Sequence, residues 1–138
     1  MTPLEIALKE YGTKEIGGLL HNPQVLKYFR DIGQTWVKDD ETAWCAAFVN
    51  WCLKKAGRPY LNTLNARSFL NYGSMTKNPK LGDLVVLWRI KKGGPFGHAG
   101  FYITENANEF FLLGGNQANE VNISRYPKSQ FLGFRSVV

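Results

Sequence analysis

The sequence predicts an α+β domain in which N-terminal helices pack on a small antiparallel β-sheet. Two observations predict it. Up to about residue 72, apolar side chains recur at helical spacing. From Leu81 onward they fall in short strand-like runs, each separated from the next by Gly, Asn or Pro. Helices that come first and hairpin-linked strands that follow point to an antiparallel sheet. No repeat, low-complexity tract or linker interrupts the chain, so one domain spanning residues 1–138 is expected.

Each element has its own signal. Pro3 to Tyr11 reads as a short helix, with Pro3 in its first turn and Gly12 ending it. Asn22-Pro23 opens a second helix, Pro23 to Asp31, whose apolar face is Val25, Leu26 and Phe29; Gly33 closes it. The strongest helix is Ala43 to Ala56. Thr42 is its expected N-cap, Asp39, Asp40 and Glu41 flank its start, and Lys54, Lys55 and Gly57 end it. Cys45, Phe48, Val49, Cys52, Leu53 and Ala56 form its inner stripe. A shorter helical turn is expected over Ala66 to Tyr72. Strands follow at Leu84 to Arg89, His98 to Thr104, Glu109 to Leu113, Val121 to Ser124 and Phe131 to Arg135.

Composition narrows the function. A content of 44% hydrophobic and 14% aromatic residues supplies a core without disulfide staples. The longest apolar runs, such as Leu84 to Trp88, are too short to cross a bilayer, so no membrane insertion is expected. Met1 to Ile6 lacks the basic and apolar pattern of a secretory signal, which predicts cytoplasmic synthesis without that route. The net charge of +6 favours polyanionic partners or simply a solvated basic surface. No nucleic-acid motif accompanies the charge, and nucleic acid is not an expected partner.

The two cysteines, Cys45 and Cys52, stand seven residues apart. On one helix that is about 10 Å along the axis, beyond the roughly 7 Å that a disulfide spans. No further Cys or His follows at ligand spacing, so no metal site is expected. Cys45 lies in the opening turn of the strongest helix, where free N–H groups and the helix dipole favour thiolate. The same N–H groups suit an oxyanion. Cys45 is therefore the candidate nucleophile. Cys52, on the same stripe but mid-helix, reads as inert core.

His98 follows the glycine-rich stretch Gly93 to Gly97 and leads an apolar strand, which makes it the candidate base. His21, in a polar loop, reads as surface. A third group is expected to orient the imidazole. If Ala107 is the midpoint of the hairpin, His98 lies opposite Asn116; a two-residue turn would set it opposite Gly115. Asn116 is the expected orienter, Gln117 the fallback, and Asn116 as an ordinary turn former stays open.

Four segments together resemble the NlpC/CHAP group of papain-like cysteine hydrolases: Trp44 to Trp51, Gly82 to Val86, Gly97 to Tyr102 and Leu113 to Gln117. More narrowly, the chain resembles a compact bacterial and phage branch of that group. The resemblance implies a nucleophile helix packed on a small antiparallel sheet that carries the histidine. It implies hydrolysis of amide bonds in peptidoglycan or its peptide fragments, with Cys45 and His98 as the catalytic pair and no metal or organic cofactor. Many CHAP members have Glu-Gly-Asn where this chain has Gly114-Gly115-Asn116, so an amide replaces carboxylate assistance. Trp44, Trp88, Arg89 and Gln117 are candidates to line the substrate groove, although tryptophans at such positions more often belong to the core. The same Cys/His pair also suits an acyltransferase or a transglutaminase-like enzyme, and a non-catalytic cell-wall-binding module is the non-enzymatic alternative. A phage lysin, or a toxin delivered by dedicated secretion with an immunity protein as partner, both fit a chain without a signal.

Overall fold

The computed structural model describes residues 1–16, 21–36 and 43–137. Three helices, α1 (Pro3–Lys9), α2 (Pro23–Asp31) and α3 (Cys45–Lys55), precede a 3-10 segment (Ala66–Asn71). Six strands follow: β1 (Ser74–Thr76), β2 (Leu84–Trp88), β3 (Gly97–Glu105), β4 (Glu109–Gln117), β5 (Glu120–Pro127) and β6 (Phe131–Ser136), with a 3-10 turn (Lys128–Gln130) before the last. Among the described residues all strand pairings are antiparallel, in the order β1-β6-β2-β3-β4-β5. This is the α+β class that the change of period predicts. Among the described residues no helix is long and apolar enough to cross a membrane.

Local chemistry fixes the helices. Thr2 and Glu5 form a reciprocal cap on α1, the Thr2 N–H donating to Glu5 Oε1 at 2.9 Å. Asn22 caps α2 by accepting from the Gln24 N–H at 2.8 Å, and Pro23 takes the first turn. The Glu10 carboxylate then accepts from Gln24 Nε2 at 2.6 Å and Tyr28 Oη at 2.8 Å, tying α1 to α2.

Helix α3 begins two residues later than expected. Its N-cap is Trp44, which makes no side-chain cap bond. The expected cap Thr42 and the acidic run 39–41 lie outside the described residues. Every residue from Cys45 to Leu53 is buried, as suits a helix packed on all sides. Its one polar side chain there, Asn50, is satisfied by the Thr63 carbonyl at 3.1 Å and the Leu61 N–H at 2.8 Å. The helix rests on β3 and β4, with Trp44, Phe48 and Val49 in the same core as Ala99, Phe101 and Leu113.

A second apolar cluster, built on Val85, Leu87, Phe110 and Leu112, covers the other face of the sheet. Phe110 of β4 meets Phe131 of β6 at 5.6 Å between ring centroids, although β3 and β2 lie between those strands. Three strand intervals of roughly 4.8 Å make about 14 Å in a flat sheet, so the sheet curls to bring those rings together.

Asp83 stands immediately before β2. Its buried carboxylate accepts from the Lys80 N–H at 2.8 Å and the Val137 N–H at 3.1 Å, joining the start of β2 to the end of β6.

Three features depart from expectation. Strand β1 was not anticipated; three residues carry too little pattern to read. Strand β4 runs through Gly114-Gly115 to Gln117 instead of stopping at Leu113. The hairpin closes by a two-residue turn, the Asn106 N–H donating to the Glu109 carbonyl at 3.0 Å. An irregularity at Ile103 then moves the pairing from Thr104–Phe111 to Tyr102–Leu112 and Phe101–Leu113, which is the register expected from a midpoint at Ala107.

Candidate active site

Cys45 is the first residue of α3, and its thiol is buried at 5% exposure. The Ala99 backbone N–H, just beyond the last β3–β4 pair, Phe101–Leu113, favours the ionised form of the sulfur. Burial pushes the thiol pKa up; the Ala99 N–H, the Arg89 charge and the N–H groups of Ala46 and Cys45 pull against it without prevailing. The expectation of a thiolate favoured by the helix terminus is thus corrected. The terminus acts in the expected direction, but desolvation outweighs it and the resting sulfur is a thiol. Cys52, fully buried, has its pKa raised well above the ordinary value by burial and lies within the core.

His98 is buried too, at 5% exposure. Burial lowers its pKa to about 4, with the Gln117 hydrogen bond opposing and the Arg89 charge assisting, so the ring is neutral at neutral pH. Its Nε2 lies 2.9 Å from Gln117 Oε1 and 3.2 Å from Tyr126 Oη. The Tyr126 ring stacks on the imidazole at 5.0 Å.

The Gln117 amide can be oriented from its surroundings. Its Nε2 faces three acceptors: the Leu112 carbonyl at 3.1 Å, the Asn122 carbonyl at 2.8 Å and Asn122 Oδ1 at 3.0 Å. The NH2 group must point there, which turns Oε1 toward His98. An amide oxygen only accepts, so the His98 proton sits on Nε2 and the lone pair on Nδ1. Among the described residues Nδ1 has no hydrogen-bond partner, and it is not sealed from solvent. The geometry leaves a free base nitrogen.

Among the described residues no hydrogen bond joins the expected orienter, Asn116, to His98, although both line one cleft. Pairing between β4 and β5 shifts between Gly114 and Gln117, and Asn116 takes a left-handed φ of 58° at that irregularity. The shift carries Gln117 onto His98 and leaves Asn116 half-buried at a cleft wall. Asn122 completes the arrangement. It donates to the Gln117 carbonyl at 2.9 Å, and its Oδ1 accepts from Ser124 Oγ at 2.6 Å.

Two clefts open beside these groups. One, of about 330 Å³, is lined by polar side chains including Asn116, Gln117, Asn119, Tyr126 and Gln130, and it contains His98. The other, of about 300 Å³, is mostly apolar, with Leu64, Ala66, Pro95 and Phe96, and it contains Cys45. Arg89 lines both. Cys45 reaches β3 from the helix side, the side to which Ala99 and Phe101 point, whereas His98 packs with Gln117 and Tyr126. Among the described residues no hydrogen bond joins the sulfur to the imidazole.

Of the expected groove residues, Trp44 is fully buried, its Nε1 donating to Glu15 Oε1 at 2.7 Å, so it belongs to the core and not to a groove. Trp88 lines the polar cleft, held by its Nε1 to the Ser129 carbonyl at 3.1 Å. Tyr126 and Asn122 were missed by sequence reasoning. The alternation Asn122, Ser124, Tyr126 on one face of β5 was the signal available, but Tyr126 fell beyond the strand end assigned at Ser124.

The family profile described as CHAP domain matches residues 37–116, ending one residue before Gln117. Among solved structures, a Staphylococcus aureus protein described as similar to lipoprotein, NLP/P60 family, is alike over 99% of this chain with a TM-score of 0.52 and 20% sequence identity. The chain spans 40% of that protein's length, and the likeness is one of fold. No curated protein matches.

Proposed function

The chain belongs to the CHAP domain family, and from that premise we propose that it is a cysteine peptidase or amidase hydrolysing amide bonds of bacterial peptidoglycan. The observation that carries the reading is the tautomer of His98, fixed by Gln117 so that a neutral ring keeps its Nδ1 lone pair, with Arg89 lining both the His98 cleft and the Cys45 cleft. Cys45 is the nucleophile, His98 the base and Gln117 the positioning residue.

The steps balance as follows. The reaction requires the sulfur and Nδ1 to come into contact. His98 Nδ1 takes the thiol proton as sulfur attacks the substrate carbonyl carbon, and the carbonyl oxygen becomes an oxyanion held by the Cys45 backbone N–H. Collapse breaks the C–N bond, and the proton on Nδ1 goes to the departing amine. Water then attacks the thioester, gives its proton to Nδ1, and the acid leaves as sulfur regains that proton. Starting from a neutral pair, His98 acts as a general base, and no standing ion pair is required.

Purified peptidoglycan incubated with the protein should release new free amines, and mass spectrometry of the muropeptides identifies the bond. Cys45→Ala and His98→Asn should abolish the release. Undiminished release by Cys45→Ala would overturn the assignment. Products that form only with an added amine or alcohol would make the chain a transferase. Delivery by phage lysis or by dedicated secretion belongs to the same proposal, and neighbouring genes decide between them. An immunity protein has no support in the fold or the site.

A further inference from the structure

Arg89 is exposed and lines both clefts, at the point where the polar and apolar walls meet. Its guanidinium has no hydrogen bond or ion pair among the described residues. Among the described residues neither cleft lining includes an Asp or Glu, and Arg89 is the one ionised side chain in each. Nearby Arg67 makes the contrast. Its Nε donates to the Phe96 carbonyl at 2.8 Å, Nη1 to the Lys92 carbonyl at 2.8 Å and Nη2 to the Lys91 carbonyl at 2.9 Å, so its donors are spent on holding the β2–β3 loop. Arg89 keeps all five of its donors for something else.

The backbone holds Arg89 firmly. Its N–H donates to the Phe96 carbonyl at 3.0 Å, and its carbonyl accepts from the Lys91 N–H at 2.8 Å. The second bond closes a γ-turn that forces Ile90 to a φ of 71°, a costly value for a β-branched residue. A strained turn persists where its surroundings over-determine it, and here it fixes the last residue beyond β2. The Arg89 charge acts on both candidate catalytic groups, lowering the pKa of Cys45 and of His98.

We propose that Arg89 is the binding site for a free carboxylate on the substrate, close to the scissile amide, and so selects peptides bearing that charge. A guanidinium offers two parallel N–H donors that match a carboxylate, which an ammonium does not. Peptides lie across the two clefts, with a small apolar side chain in the Cys45 cleft and polar groups in the other. The inference rests on the hydrolase reading for the word substrate, but its test does not need turnover.

The probes are L-alanyl-γ-D-glutamyl-L-lysine and its counterpart with the glutamyl α-carboxylate converted to carboxamide. Titration calorimetry on the Cys45→Ala protein should give about tenfold tighter binding of the carboxylate form, the scale of a partly exposed charge-assisted pair. Adding Arg89→Gln should bring the two affinities to within about twofold, and Arg89→Lys should restore part of the difference. Equal affinities in Cys45→Ala, a preference that survives Arg89→Gln, or binding of neither peptide overturns the inference. Amine release by the unmodified protein is read separately. An Arg89-dependent preference without release keeps this inference and drops the hydrolase reading, and release without that preference does the reverse.

Discussion

Gln117 gives His98 an oxygen that accepts and never donates, and it gives the Leu112 and Asn122 oxygens an NH2 that donates. Gln117→Glu turns that second end into an oxygen facing acceptors. It should cost about 1–3 kcal/mol in urea or thermal melts, as an unsatisfied buried group does. The same carboxylate favours imidazolium, so the His98 pKa rises from about 4. A base works only while unprotonated, and the acid limb of kcat/KM against pH therefore moves upward. Here an amide is the group that satisfies both sides. Asn116→Gly, which keeps the left-handed φ, should reduce kcat/KM far less than Gln117→Ala; the reverse order would return the positioning role to Asn116. The sequence pointed to Cys45 and His98 without help from tertiary structure, because a helix start and a strand start are local features. Choosing between Asn116 and Gln117 depended on irregular pairing, which no residue near the hairpin turn reveals.

At the scale of elements, the contact between α3 and β4 decides where the sulfur stands. A Cβ on Gly115 would lie 2.8 Å from Phe48 Cβ and 2.8 Å from the Trp44 ring. Gly115→Ala should push the two elements apart, costing about 1–3 kcal/mol in thermal or urea melts. Turnover should fall more than stability alone explains, since Trp44 immediately precedes Cys45. The β2–β3 turn behaves oppositely. Ile90→Gly removes the strain at a φ of 71° and should raise stability by about 1 kcal/mol, measured by the same melts. Helix α2 was legible to the residue because Asn22-Pro23 and Gly33 punctuate both ends. Strand β4 was read short because Gly114-Gly115 looks like a break; in the fold those glycines admit His98 and Gln117 on one side and α3 on the other.

For the molecule as a whole, sheet closure and one buried ring govern stability. Strand β6 inserts between β1 and β2, so pairs such as Leu84–Arg135 form only when distant segments meet, and neither the insertion nor the curl of the sheet can be read from hydrophobic period. His98 adds a pH dependence of definite sign. Its pKa is about 4 when folded, and the unfolded ring has an ordinary value near 6.5. The unfolded chain therefore binds the proton first. Stability is full above the unfolded value and is lost as pH falls toward the folded one, by about 3 kcal/mol between pH 7 and 4. Urea midpoints across that range should show the loss, and His98→Gln should flatten it.

The enclosure of Cys45 has a consequence for its oxidation. Peroxide and disulfides attack ionised sulfur, and a sulfur kept protonated by its surroundings offers them little. Peroxide should therefore modify Cys45 far more slowly than it modifies an exposed free cysteine, which mass spectrometry after alkylation would read.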